Sequence, residues 1–115
     1  MPVTLYHNPR CSKSRQALEL LRSRDVEPEI VEYLKTPPST AELHRILDLL
    51  AMDPRMLMRR TESIYSELGL DDDSLARDEL IQAMIAHPIL MERPIAVTAE
   101  RAALGRPPDN VLGVL

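Results

Sequence analysis

Residues 3–21 read VTLYHNPRCSKSRQALELL, and how this stretch divides decides the fold. Residues 3–7 form a short apolar, β-prone run closed by Asn8-Pro9, the pattern of a strand entering a turn. Ala17, Leu18 and Leu21 then recur at helical spacing, so a helix begins close to Cys11 and frays near residues 23–25. A second β-prone run, PEIVEYL at residues 28–34, follows. Strand, helix, strand in so short a span implies a β-α-β unit, with parallel strands and a right-handed crossover.

Further along, Ser39 and Glu42 have the spacing of a capping box, and Leu43, Ile46, Leu47 and Leu50 fill one helical face. Asp53-Pro54 predicts a short helix, with Asp as cap and Pro in the first turn. ESIYSELG adds a turn or two before Gly69, and Leu80, Ile81, Met84 and Ile85 mark a helix ending before Pro88. RPIAVTAERAALGRP, residues 93–107, holds two β-prone stretches around Ala99-Glu100 and predicts a hairpin of residues 95–98 and 101–104, with a last helical turn near 108–112. The expected fold is therefore an α/β domain: a mixed sheet with flanking helices and a helical insertion at about residues 39–88, in one domain over residues 1–115.

Composition narrows the function. The 115 residues are 44% hydrophobic and 28% charged, without a run of about 18 apolar residues, so no membrane partner is expected. No basic-then-apolar secretory pattern opens the chain, and a single cysteine suits a reducing compartment, so a cytoplasmic location is expected. The net charge of -4 argues against nucleic-acid binding. Of 14 basic residues only Lys13 and Lys35 are lysines; the rest are arginines, whose planar fork of donors grips oxyanions.

Cys11 stands where a helix begins, and unpaired N–H groups there favour a thiolate. His7, Arg10, Lys13 and Arg15 make the local field cationic. A cysteine-dependent phosphatase loop would place an arginine six residues on, where Ala17 stands; a dithiol oxidoreductase would place a cysteine three residues on, where Ser14 stands. With no second cysteine, an oxidised Cys11 must be resolved by an external thiol, for which glutathione with glutaredoxin is the cytoplasmic supply. Ser14 itself reads as a hydroxyl in the first helical turn. Arg93 precedes Pro94 at the entry to a strand. His44 and His87 lack metal-ligand spacing, and no cluster suggests zinc or another bound metal.

YHNPRCSKSR, YLKTPP, LMRRTE, YSELGL, HPILMERPIAVT and LGRPPDNVL, in this order, resemble successive blocks of the glutaredoxin-dependent arsenate reductase family, across almost the whole chain. The resemblance implies a thioredoxin-like fold with a helical insert, no bound cofactor, and reduction of arsenate to arsenite with glutathione as co-substrate and glutaredoxin as partner. It implies a nucleophile at Cys11, a supporting His7, and oxyanion ligands at Arg59, Arg93 and Arg106. Proline at the position of Pro94 is typically cis in thioredoxin-like folds and faces the nucleophile. Ser12 and Lys13 stand where resistance reductases of the family typically carry smaller, uncharged residues. Two further functions are compatible with the residues: a glutathione-dependent reductase of mixed disulfides, and a redox-sensing regulator that binds RNA polymerase. The regulator commonly needs a CxxC switch, which Ser14 removes.

Overall fold

The computed structural model describes residues 2–115. It divides into two compact units: one runs up to Thr36 and resumes over Arg93–Leu115, and the other is Pro37–Glu92.

The first unit is built on a four-stranded sheet. Strand β1 (Thr4–His7) leads into helix α1 (Ser12–Ser23) and strand β2 (Glu29–Glu32), which lies parallel to β1 with Thr4 opposite Glu29 and His7 opposite Glu32. Strand β3 (Ile95–Val97) runs antiparallel to β1 on its other side, with Tyr6 opposite Ile95, and β4 (Ala102–Leu104) completes the order β2-β1-β3-β4. The mixed sheet expected from the sequence is therefore present. Leu5 and its partner Ala96 share a face, and there they pack with Val3, Ala17, Leu18 and Leu21, and with Val111 and Val114 of the closing 3-10 segment Pro108–Val114. The helical spacing of Ala17, Leu18 and Leu21 thus has its cause in one buried face, with Leu21 and Ala17 fully covered. The hairpin turns at Ala99-Glu100, where Thr98 Oγ1 accepts the N–H groups of Glu100 and Arg101. Strand β2 forms the outer edge and is largely exposed, so the alternation of a half-buried strand is missing from it. It is shorter than the run 28–34 because the Lys35 and Thr36 amides both turn back to the Glu32 carbonyl.

The second unit is helical. Helix α2 (Thr40–Leu50) starts at Ser39, whose hydroxyl accepts the Glu42 N–H at 3.1 Å. The Glu42 carboxylate, expected to return to the Ser39 amide, instead accepts from Arg45 at 2.7 and 3.0 Å. Leu43, Ile46 and Leu47 are fully buried, while Leu50, expected on the same face, is only partly covered. After Pro54–Leu57, a 3-10 turn, come α3 (Ser63–Glu67) and α4 (Arg77–Ala86), which buries Leu80, Ile81 and Met84. A further 3-10 turn, Pro88–Leu90, is absent from the sequence reading; three residues are too few to carry a period. No helix among the described residues is long and apolar enough to cross a membrane.

Candidate active site

In the first unit, the carboxyl end of β1 is flanked by the ends of two neighbours that connect in opposite directions, the position at which open α/β sheets bind ligands. The chain leaves His7, turns through Asn8-Pro9-Arg10 with the Cys11 amide donating to the Asn8 carbonyl at 3.0 Å, and enters α1. Cys11 is the N-cap, in extended backbone with φ -92° and ψ 123°. Asn8 makes the turn itself, its Oδ1 accepting the Arg10 N–H at 3.0 Å.

The Cys11 thiol is partly exposed and its pKa lies below the ordinary value. Burial opposes ionisation; the Ser14 amide, the Arg93 charge, the Lys13 amide and a hydrogen bond from Arg93 together outweigh it. The sulfur makes no full capping hydrogen bond, so the two amides act as nearby dipoles of the first helical turn. His7 is absent from these influences. Its Nδ1 lies 2.6 Å from the Oγ of Ser14, a side chain with no exposed surface, and the same Oγ accepts the Asn8 N–H at 3.1 Å. Having accepted there, the hydroxyl finds an acceptor for its own proton in Nδ1, an assignment that leaves the imidazole proton on Nε2. Burial lowers the His7 pKa, against the pull of Glu32 and with the push of Arg15 and Arg22, so the ring is held neutral. Ser14 is thus a buried tie between β1 and α1, and its backbone rather than its hydroxyl favours the thiolate.

Arg93 enters from the β3 side. The Arg93–Pro94 bond is cis, as is Arg106–Pro107. Arg93 Nε and Nη1 are buried, and neither has a hydrogen-bond partner among the described residues. Two buried guanidinium donors without an acceptor are costly unless an anion is meant to meet them. Arg106 braces this position, its Nε donating to the Arg93 carbonyl at 3.1 Å, and the Gly105 amide donates to the Pro94 carbonyl at 2.8 Å. A Cβ built on Gly105 would meet Pro94 Cγ at 2.6 Å, so only glycine lets the two loops approach. Gly105 escaped the sequence reading, since nothing local shows that Pro94 will lie against it.

Arg59 belongs to the second unit. There its Nε lies 3.3 Å from Glu92 and its Nη1 3.5 Å from Glu62, both carboxylates being half-buried with it. The first unit therefore brings together Cys11, His7, Ser14, Arg93, Pro94 and Arg106. Among the described residues no group of three or more His, Cys, Asp or Glu side chains could hold a metal ion. A cleft of about 440 Å³ along the outer face of α1, lined by Glu19, Leu20 and Asp109, contains neither cation nor thiol.

The model of the ArsC family matches residues 6–114. The uncharacterized protein YfgD of Escherichia coli (strain K12) is 53% identical over 98% of this chain and 96% of its own. An arsenate reductase of Neisseria meningitidis is 46% identical over 98% of this chain and 97% of its own. Among solved structures, an arsenate reductase from Vibrio cholerae superposes with a TM-score of 0.95 at 46% identity, covering all of this chain and 98% of that one.

Proposed function

This chain belongs to the ArsC family, with its thioredoxin-like fold, and on that footing we propose that it is an arsenate reductase whose nucleophile is Cys11. The observation that carries the proposal is the pair of buried, unpartnered Arg93 donors on the side chain that also lowers the Cys11 pKa. A tetrahedral oxyanion suits donors of this kind: its oxygens accept charge-assisted N–H bonds from a guanidinium while its central atom is presented to a thiolate alongside.

In the proposed reaction the Cys11 thiolate attacks arsenic, an As–O bond breaks, and the oxygen leaves as water after taking up protons. Arg93 meets the charge that builds on the remaining oxygens. A second thiol, glutathione, then attacks the Cys11 sulfur as thiolate. The S–As bond breaks with its electron pair staying on arsenic, which leaves as arsenite, while Cys11 and glutathione are oxidised to a mixed disulfide. The lone cysteine makes an external thiol necessary at this step. Glutaredoxin, taking the glutathionyl group in a thiol exchange, restores Cys11. His7 contributes at one remove: through Ser14 it holds the helical turn whose amides favour the thiolate. Arg106 acts through Arg93, whose carbonyl it holds.

The test is arsenite release by purified protein with arsenate, glutathione and glutaredoxin. Release that requires both thiol components and is lost in Cys11→Ser supports the proposal. Turnover of glutathione mixed disulfides without arsenite would replace it with the mixed-disulfide reductase.

A further inference from the structure

A second cleft, of about 310 Å³, opens between the loop that leads from β1 to Cys11 and the segment that ends β2. Its walls are Asn8, Pro9 and Arg10 on one side and Glu32, Leu34 and Lys35 on the other, and His7 also lines it. The volume lies at the lower end of the roughly 300–1,000 Å³ typical of small-molecule sites. Its lining combines two cations, one carboxylate and one exposed leucine. Arg10 has no side-chain partner among the described residues, and the 3.7 Å ion pair between Lys35 and Glu32 is exposed enough for another carboxylate to compete with it.

Position matters as much as lining. At the carboxyl end of β1, Arg93 comes in from β3, and this cleft lies towards β2, on the other side of β1 in the strand order. Displacement at sulfur proceeds in line: the attacking thiolate approaches opposite the bond that breaks. If the oxyanion occupies the Arg93 side, the second thiol has to arrive from the β2 side.

We propose that this cleft is the subsite for the thiol co-substrate, a small peptide thiol with two carboxylates and an ammonium group, of which glutathione is the cytoplasmic example. Arg10 and Lys35 take the carboxylates, and Glu32 takes the ammonium group. This rests on the reductase reading for its place in the cycle, but the cleft also governs a simpler reaction. In that reaction the Cys11 thiolate attacks one sulfur of glutathione disulfide, the S–S bond breaks, and glutathione leaves as thiolate.

Lys35→Glu separates the possibilities, and its 78% exposed side chain puts folding at little risk. In the reductase assay the glutathione KM is expected to rise about fivefold to tenfold, more than one exposed pair is worth because attraction becomes repulsion. The arsenate KM should stay within about twofold, and activity supported by 2-mercaptoethanol, which has no carboxylate, should be unchanged. The second readout follows addition of the glutathionyl group to Cys11 by mass spectrometry. Lys35→Glu should slow reaction with glutathione disulfide several-fold and leave reaction with hydroxyethyl disulfide as it was. Failure of the unsubstituted protein to release arsenite would overturn the reductase reading alone, because the disulfide reaction still tests the cleft. An unchanged glutathione response, or equal slowing with charged and uncharged thiols or disulfides, would overturn the subsite.

Discussion

A single guanidinium carries two loads at Cys11: its charge lowers the thiol pKa, and its Nε and Nη1 wait without acceptors. Removing it should disturb both. Arg93→Gln is expected to move the pH midpoint of Cys11 alkylation by a neutral reagent upwards, towards the ordinary thiol value of about 8.5. It should also raise the arsenate KM. The amides of Ser14 and Lys13 remain in the variant, so the midpoint should stop short of that value. Identical alkylation profiles for the two proteins would mean that the helix start alone activates the thiol. Lysine at the same place would keep the charge and lose the fork, which divides the two loads: the midpoint would largely hold while anion binding weakened.

At the scale of elements, the loop before β3 and the loop after β4 hold each other through Gly105–Pro94 and Arg106–Arg93. Gly105→Ala forces a methyl group against Pro94, which overpacking makes worth about 1–3 kcal/mol of stability. Because Pro94 follows Arg93, the variant should also show a raised arsenate KM while still folding at room temperature. A lowered Tm with an unchanged KM would confine Gly105 to a packing role. Neither contact could be read from the chain. Helices α1, α2 and α4 were legible because each buries a periodic face, as Ala17, Leu18 and Leu21 do, and the strands because β-prone runs are bounded by turn residues. The edge strand β2 lost its ends because exposed Leu34 and the turn at Lys35 follow no burial pattern. Cys11 was legible from its place at a helix start, whereas the His7–Ser14 bond spans seven residues across a strand-to-helix turn, a spacing no periodicity announces. Arg93 emerged from its place before Pro94 and from family likeness, but its orphaned donors required coordinates.

For the molecule as a whole, His7 couples stability to pH. Burial depresses its pKa in the folded state, so below about 6.5, the ordinary value, the unfolded chain binds the proton more readily. Stability should therefore fall as the pH drops from about 6.5 through the depressed folded value, and this group's contribution should be fully lost below that. The difference in unfolding free energy between the protein and His7→Gln, followed from pH 7.5 to 5 by urea titration, isolates the effect from the carboxylates. Parallel curves would show that His7 does not titrate against the fold. The same end of the sheet bears on behaviour at high concentration. The outer margin of the sheet offers unpaired main-chain groups along Ile30 and Val31, but glutamates stand at both ends of that short run. Two copies meeting margin to margin in antiparallel fashion would crowd carboxylate against carboxylate, so the protein carries its own defence against growing into fibrils.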